Sequence, residues 1–382
     1  MKREIFLQEA LKSMQEEKGK ICLSIVVPTH RLSDERRVDE LEVNKALDKA
    51  RQFLEYKYPE PEIKPLLQSL DELYKEIDFV HNTEGLGLYV SPDLKYIVHY
   101  PFPVEEKVIA GDTFEIRDLL YKLNYSKTYF VLLLSEKTIQ LFEGAWKDLH
   151  EIGDINFPME YEETYSYNIP SRSSTLAGSA HVKSFEKDKS ELEEIRFTDY
   201  FRRADVLLDE YMPGITPLIV MAPQKELSWF ENISKHKNQI IQKIAGNYHY
   251  SNRTEIAEIA WSAMRKHLDN EREILIKEFV EKIGEHRGVS GLQNVWNAAR
   301  EGNALKLLVE KDFRKPGFVL LLSGADRLYV RPPKKPHKIL ADAVDDIIEL
   351  VLKKNGKVYF VDNGKLKDYK HIALITRYHA KD

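Results

Sequence analysis

The sequence predicts an α/β fold, because amphipathic helical segments alternate with short apolar strands along the chain. Apolar residues recur every three or four positions over residues 41–54, a spacing typical of a helix with one buried face. Residues 22–28 and 217–223 are short apolar runs that end at proline, as expected for buried strands. Alternation of this kind stacks helices against sheets in layers. A length of 382 residues fits two or three domains, at roughly 100–200 residues each.

Three blocks along the chain indicate three α/β domains. The predicted domains cover residues 1–123, 124–268 and 269–382. An apolar hairpin is expected at 85–100 in the first domain, and two strands joined by 135–137 are expected in the second. The expected helices of the second and third domains cover residues 190–212, 225–243, 252–268, 271–287, 292–302 and 340–356.

Composition narrows the class of protein. The net charge of −5 argues against a broadly basic coat for nucleic acid, so RNA contact would depend on local patches and no DNA partner is expected. No run reaches the ~20 apolar residues of a membrane span, and the N-terminus lacks the apolar core of a signal peptide. The single cysteine, Cys22, excludes an intramolecular disulfide. These features favour a cytoplasmic protein without membrane contact.

Motifs for several kinds of chemistry are missing from the sequence. There is no phosphate-binding P-loop and no dinucleotide-binding glycine pattern, since Gly85-Leu86-Gly87 is better explained as the start of a strand. There is also no nucleophile elbow of a serine hydrolase. The histidines are scattered, with no pair at metal-ligand spacing. We therefore expect no metal and no cofactor.

The end of the first strand is one candidate RNA-binding site. Pro28 stops the strand, and ends of strands in α/β sheets commonly face ligands. The residues that follow offer a hydroxyl, an imidazole and three guanidinium groups: Thr29, His30, Arg31, Arg36 and Arg37. The alternative is a structural turn followed by a solvated, salt-bridged helix start, because four acidic residues lie among these cations.

A polar arm within residues 168–185 is the second candidate. Its hydroxyls, guanidinium group and flexible glycine can follow an RNA surface: Ser171, Arg172, Ser173, Ser174, Thr175, Gly178 and Ser179. The alternative is a surface linker, because the arm has little apolar area to bury. His181 and Arg172 are the candidates for catalysis if the protein is an enzyme. No acidic neighbour can be assigned to His181, which favours a solvated side chain.

A basic loop at residues 331–338 is the third candidate. Its cations can contact ribosomal RNA, and its prolines keep it extended: Arg331, Lys334, Lys335 and Lys338. The alternative is a solvated loop. The tyrosine-rich stretch 161–168 can stack on bases, although an alternating strand explains its spacing equally well and is favoured.

Three segments, in this order, resemble a known family. They are SIVVPTHR at 24–31, YFVLLLSEKTIQLFEG at 129–144 followed by a polar loop and a long charged helix, and the stretch 273–312. Together they resemble the bacterial proteins related to archaeo-eukaryotic class-1 release factors and Pelota. The resemblance implies a ribonuclease-H-like middle domain. It also implies a C-terminal α-β-α sandwich like the kink-turn-binding ribosomal proteins.

The middle loop departs from the releasing members of that family, which carry Gly-Gly-Gln there to place water at the ester bond of peptidyl-tRNA. Residues 168–197 contain no glutamine. The resemblance therefore implies a translation factor that binds the ribosomal A site in rescue or hibernation, contacting ribosomal RNA, tRNA and a translational GTPase. The alternatives are a peptidyl-tRNA hydrolase or tRNA-cleaving enzyme with different loop chemistry, and a non-ribosomal interaction protein that keeps only the fold.

Overall fold

The computed structural model describes residues 2–17, 21–30, 36–161, 180–320 and 327–379. The chain divides into two compact units. The split unit combines Met1–Ser126 with Asp269–Asp382, and the central unit is Lys127–Leu268. Both units contain sheets and helices, which confirms the α/β class. The three-domain division at 1–123, 124–268 and 269–382 stays a prediction.

The first segment of the split unit is a four-stranded antiparallel sheet with helices. Its elements are α1 (Lys2–Glu16), β1 (Cys22–Pro28), α2 (Arg36–Lys57), α3 (Glu60–Glu76), β2 (Gly85–Val90), β3 (Lys95–Tyr100), β4 (Lys107–Gly111) and α4 (Arg117–Tyr125). The strand order is β3-β2-β1-β4, and the expected hairpin is the pair β2 and β3. Leu23, Ile25 and Val27 of β1 pack in one core with apolar residues of α2 and α3, which makes β1 the central support of this sheet.

The central unit contains a mixed sheet packed against a long helix. Its elements are β5 (Tyr129–Leu134), β6 (Thr138–Ala145), β7 (Asp148–Glu151), β8 (Met159–Glu160), α5 (Ala180–Tyr211), β9 (Leu218–Ala222), α6 (Gln224–Ile233) and β10 (Ile240–Ala245). Helix α7 (Arg253–Gly284) begins in the central unit, and its residues from Asp269 onward belong to the split unit. The sheet order is β10-β9-β5-β6-β7, with β8 paired to β6. Strands β5, β9 and β10 are parallel. The core joins Leu132 and Val220 of the sheet to Leu208 of α5 and Phe230 of α6.

Two predicted helices of the second domain were wrong in extent. The helix expected at 225–243 ends at Ile233, and β10 covers the last four of its predicted residues, 240–243. The cause is a long-range contact, because buried Asp205 of α5 accepts hydrogen bonds from the Ser234 hydroxyl at 2.6 Å and the Lys235 backbone at 2.8 Å. These bonds turn the chain out of the helix. The helices expected at 252–268 and 271–287 are one helix, α7.

The last segment adds two sheets to the split unit. Its elements are β11 (Gly288–Ser290), α8 (Leu292–Arg300), β12 (Ala304–Glu310), β13 (Gly317–Leu320), β14 (Arg327–Tyr329), β15 (Lys338–Leu340), α9 (Ala343–Lys353), β16 (Lys357–Val361) and β17 (Ile372–Thr376). The larger sheet has the order β11-β17-β12-β16, with β12 and β16 parallel. The smaller sheet has the order β14-β13-β15. None of the helices in the described residues is both long and apolar enough to cross a membrane.

A buried arginine of α4 joins the two segments of the split unit. Arg117 is 3% exposed and donates to Asp345 at 2.7 Å, to Asp342 at 2.9 Å and to the Phe313 carbonyl at 2.7 Å. One cation thus pairs with two carboxylates at the start of α9. A buried ion pair of this kind is costly to break, because removal of one member leaves the other charged and unpaired.

Glu115 lies beside this cluster and responds to pH. Burial, with a further contribution from the charge and hydrogen bond of Asp345, raises the pKa of Glu115 to about 8. The folded protein therefore keeps this side chain protonated at neutral pH, while the unfolded chain ionises it. A carboxyl group with a raised pKa stabilises the fold fully below its unfolded pKa, and that contribution is lost as the pH rises through the folded pKa.

We predict that Glu115→Gln removes this pH-dependent loss of stability. The melting temperature of the variant, relative to the natural protein, should rise between about pH 5 and about pH 9, because glutamine stays neutral throughout. Thermal unfolding followed at several pH values measures the difference. The exposed Glu281→Gln serves as the control. A constant difference for Glu115→Gln across the range would show that the carboxyl ionises normally in the fold.

Candidate functional site

The turn after β1 brings together two of the predicted residues, and the first has a structural role. Thr29 is 4% exposed, and its hydroxyl donates to the Thr83 carbonyl at 2.9 Å. Its backbone N–H donates to the Glu84 carbonyl. Thr29 therefore ties the end of β1 to the segment that precedes β2, and its hydroxyl is used inside the fold.

His30 forms a dyad with a buried carboxylate. Its Nδ1 lies 2.7 Å from Asp39 Oδ1, and its backbone N–H donates to Asp39 Oδ2 at 3.0 Å. Asn82 donates to the same Oδ2 at 2.9 Å, so the fully buried Asp39 is held by three donors. The His30 side chain is 47% exposed. The carboxylate accepts from Nδ1, which fixes the ring orientation and places the proton of a neutral imidazole on that nitrogen.

Sequence reasoning missed Asp39 and Asn82. In the sequence, Asp39 was interpreted only as an acidic residue that weakens a basic patch. In the structure, its carboxylate accepts the hydrogen bonds that hold the turn. Its position in the first turn of α2 is a usable signal, since carboxylates are favoured at helix N-termini. The amide of Asn82 comes from a distant loop and gives no local signal. Of the three predicted arginines, Arg37 is exposed on α2, Arg36 begins that helix, and Arg31 lies outside the described residues.

The polar arm is shorter than predicted. Helix α5 begins at Ala180, so residues 180–185 are helical and the prediction of a loop as far as 185 was wrong. Helix-forming residues follow without glycine or proline, which explains the early start. His181 therefore lies in the first turn of α5. The remaining predicted arm residues lie outside the described part of the chain: Ser171, Arg172, Ser173, Ser174, Thr175, Gly178 and Ser179.

An arginine groove on α5 is a feature that sequence reasoning did not identify. The groove has a volume of about 640 Å³, with Arg196, Arg202 and Arg203 along the helix. Its apolar walls and remaining acid are Met159, Tyr161, Val206, Leu207 and Asp199. Spacings of three and four residues put these α5 side chains on one helical face, and that spacing is the signal in the sequence. Guanidinium groups in a row can donate to successive phosphates or carboxylates.

Two of these arginines have identified contacts. Arg202 forms an ion pair with Asp199 one turn earlier, which offsets part of the positive charge. The Arg203 guanidinium lies 5.9 Å from the Tyr200 ring centroid. An aromatic contact orients a guanidinium group without neutralising it. Tyr161, where the described chain stops before the arm, lies in the same groove.

The basic loop is the connection between β14 and β15. Its cations are all exposed: Arg331, Lys334, Lys335 and Lys338. The His337 ring packs edge-on against Phe318 with 5.4 Å between centroids, which anchors the loop to β13. Lys338 lies near Asp346, whose pKa is raised to about 6 by burial and by Glu349. Charge from Lys338 is therefore partly offset.

Two further predictions concern metals and tyrosines. Within the described ranges, no three His, Cys, Asp or Glu side chains are grouped so that they could hold a metal ion. Of the tyrosine-rich stretch 161–168, only Tyr161 is described. It follows the short strand β8 and packs edge-on against Tyr200, with 5.2 Å between ring centroids.

The family model of bacterial archaeo-eukaryotic release factor family 3 matches residues 128–303. This segment is that of a release factor-like protein. The match covers the mixed sheet, α5 with its groove, and α7, and it confirms the family resemblance. A comparison with curated proteins found no match.

Solved structures of release factor-like proteins are similar at low identity. The archaeal translation termination factor aRF1 is 13% identical, with 98% of each chain covered and a TM-score of 0.25. The S. cerevisiae termination-like factor Dom34, described as interacting with Hbs1, is 12% identical over 77% of this chain and 74% of that chain, with a TM-score of 0.38. An archaeal Pelota from a ribosome-bound model with ABCE1 is 16% identical over 75% and 73%, with a TM-score of 0.38. These values transfer no residue role, so each role comes from this chain's own geometry.

We predict that the two members of the His30–Asp39 dyad have unequal structural roles. Asp39→Ala should lower the free energy of unfolding by about 1–3 kcal/mol, because three donors, among them the buried Asn82 amide, lose their acceptor. His30→Ala should cost less than about 1 kcal/mol, since its ring is half exposed. Urea unfolding, with hydrogen exchange of the β1 amides as a local probe, measures both. Equal losses in the two variants would contradict this division of roles.

Proposed function

We propose that this protein is a ribosome-associated translation factor of the release factor and Pelota type that works in the cytoplasm. It enters the A site of stalled or idle ribosomes, in rescue or hibernation, and acts by occupation without hydrolysing peptidyl-tRNA. One observation carries the proposal: the release factor-like segment lacks the releasing motif. Residues 168–197 lie within the family match and contain no glutamine, and no two glycines are adjacent anywhere in the sequence.

RNA contact in this proposal comes from the central unit. The arm at 168–179 leads into α5, and the arginine groove lies on the same helix. Hydroxyl groups and a guanidinium in the arm suit phosphates and 2′-hydroxyls. The groove adds three arginines at helical spacing, which supplies local positive charge in a protein of net charge −5. Phosphate contacts supply most of the affinity of a sequence-independent RNA binder.

The last segment is proposed to contact a protein partner, such as a translational GTPase, or ribosomal RNA. The exposed cations Arg331, Lys334 and Lys335 support a contact with an acidic surface, since none forms an ion pair within the described residues. Prolines in the loop reduce the entropy that is lost when it is ordered on binding. The dyad at the end of β1 is proposed as a further RNA contact, made by the exposed face of His30.

We predict that the protein co-sediments with ribosomes from stressed or stationary-phase cells and that the arginine groove contributes to this binding. Joint Arg196→Ala and Arg203→Ala substitution should weaken binding by at least about tenfold, because two phosphate contacts are lost. The dependence of affinity on salt should also become shallower, by about 0.7 per lost contact for a single strand.

A matched control keeps this test specific. Arg253→Ala removes an exposed arginine at the start of α7 in the same unit and should bind like the natural protein. A purified protein that never travels with ribosomes would overturn the proposed function. Ribosome binding that is unaffected by the double substitution would keep the function and remove the groove from it.

A hydrolytic function is the alternative, and the position of His181 favours testing it. His181 belongs to the first turn of α5, and in the sequence it follows the arm that carries Arg172. A histidine there could act as a general base towards water at an ester bond. Such a site would need no Gly-Gly-Gln motif.

We predict no peptide release when the natural protein is added to stalled ribosomes that carry labelled peptidyl-tRNA. The expected result follows from the missing releasing motif, and a releasing factor in the same assay is the positive control. Release that is lost in His181→Ala or Arg172→Ala would select the hydrolase. Release that survives both substitutions would also select a hydrolase, but with catalytic residues elsewhere.

A further inference from the structure

A cleft in the split unit lies where the parallel strands β12 and β16 end. It has a volume of about 310 Å³ and is bounded by residues 103–107, by α4 and by the residues that follow β12. Crevices at the carboxyl ends of parallel strands are common places for ligands in α/β proteins. The volume is near the lower limit of small-molecule sites, which span about 300–1,000 Å³. A ligand here would therefore be small.

Two of the four cations that line the cleft are already neutralised. Lys107 lies 2.5 Å from Asp118, and both side chains are largely buried. Arg117 is paired with the two carboxylates at the start of α9. The other two cations, Lys311 and Arg314, form no ion pair in the part of the chain that the structure describes.

Two further carboxylates, Asp312 and Glu105, line the exposed side of the cleft beside these cations. Asp118 is the acceptor for Lys107, and Asp312 accepts from the Asn363 amide at 2.5 Å. Glu105 lies on the exposed rim. Glu115, which is close enough to Arg314 to influence it electrostatically, has a pKa of about 8 because it is buried, and it is protonated at neutral pH. Arg314 is exposed together with these two acids, whereas Lys311 is half-buried, so Lys311 supplies the positive charge nearest the interior of the cleft.

Aromatic rings hold the Lys311 ammonium in place without neutralising it. Its Nζ lies 4.7 Å from the Tyr121 ring centroid and 5.7 Å from the Phe102 centroid. Its backbone N–H donates to the Val361 carbonyl at 3.0 Å, which fixes the base of the side chain at the end of the sheet. A cation over aromatic faces keeps its full charge for an incoming anion. The ammonium of Lys311 is thus held in the cleft without an acidic partner among the described residues.

We propose that the cleft binds a small phosphate monoester, such as a phosphorylated sugar or a nucleoside monophosphate. The phosphate lies between the Lys311 ammonium and the Arg314 guanidinium, which together supply a point charge and a planar fork of donors. Tyr121, Val104 and Phe360 provide apolar surface for the rest of the ligand. Nothing in this site requires the proposed ribosomal function, because it lies in the split unit and uses none of the arm or groove residues.

The test uses the full chain without ribosomes. Inorganic phosphate, ribose 5-phosphate, adenosine 5′-monophosphate and a 5′-phosphorylated tetraribonucleotide are titrated in phosphate-free buffer, and binding is followed by calorimetry. A monoester should bind at least about tenfold more tightly than inorganic phosphate, because the apolar walls contact only the organic part. Preference for the tetranucleotide over both small monoesters would overturn the proposal in favour of an RNA end.

Variants identify the cations. Lys311→Met keeps the apolar stem on Tyr121 while removing the charge, and it should weaken the monoester at least about tenfold. Arg314→Ala should do the same, while Lys311→Arg should keep most of the affinity. The exposed Lys357→Ala is the matched control and should bind normally. The proposal fails if no monoester binds at millimolar concentration, or if Lys311→Met binds as well as the natural protein.

Discussion

The split unit depends on one buried cation. Arg117 reaches from α4 in the first segment to Asp342 and Asp345 in the last, and its third donor satisfies the Phe313 carbonyl. Asn124, two turns later on α4, completes the joint by bonding both ways to the backbone of β16 at Val358 and Phe360. The joint makes one unit from chain segments that the central unit separates, and it supports the cleft beside it. A hydrophobic contact alone would not select this register, whereas two carboxylates and one guanidinium group do.

Sequence patterns predicted the helices and strands whose formation depends on the apolar pattern of their own residues. The continuous apolar runs of β1, β5 and β9 indicated buried strands, and the periodicity of residues 190–212 indicated the body of α5. Strand β10 was missed because its side chains are half exposed and its formation follows from the hydrogen bonds of Asp205, a residue far away in sequence. The break expected near residue 268 has no local cause either, since no glycine or proline interrupts residues 253–283.

Candidate functional side chains were predictable only where a motif in the neighbouring sequence indicated them. His30 was found because it follows Pro28 at a strand end, but its carboxylate Asp39 and the amide of Asn82 come from other parts of the fold. The groove on α5 combines arginines from a helix with Met159 and Tyr161 from the β8 region, and only the helical spacing is visible beforehand. The aromatic support of Lys311 joins β12 to α4 and gives no sequence signal at all.

The division of the chain into two units and the strand order of the last segment have a consequence for folding during synthesis. The central unit is one uninterrupted stretch, so it can fold as soon as it has been translated, in line with domain-wise folding during synthesis. The first segment of the split unit cannot complete its folding at that stage, because the carboxylates that pair with Arg117 lie 225 and 228 positions later in the chain. The larger sheet of the last segment waits longer still, since β17 lies between β11 and β12. Until Asp342 and Asp345 have been synthesised, the Arg117 guanidinium of a nascent chain lacks its carboxylate partners, and the face of α4 that packs on β16 stays uncovered.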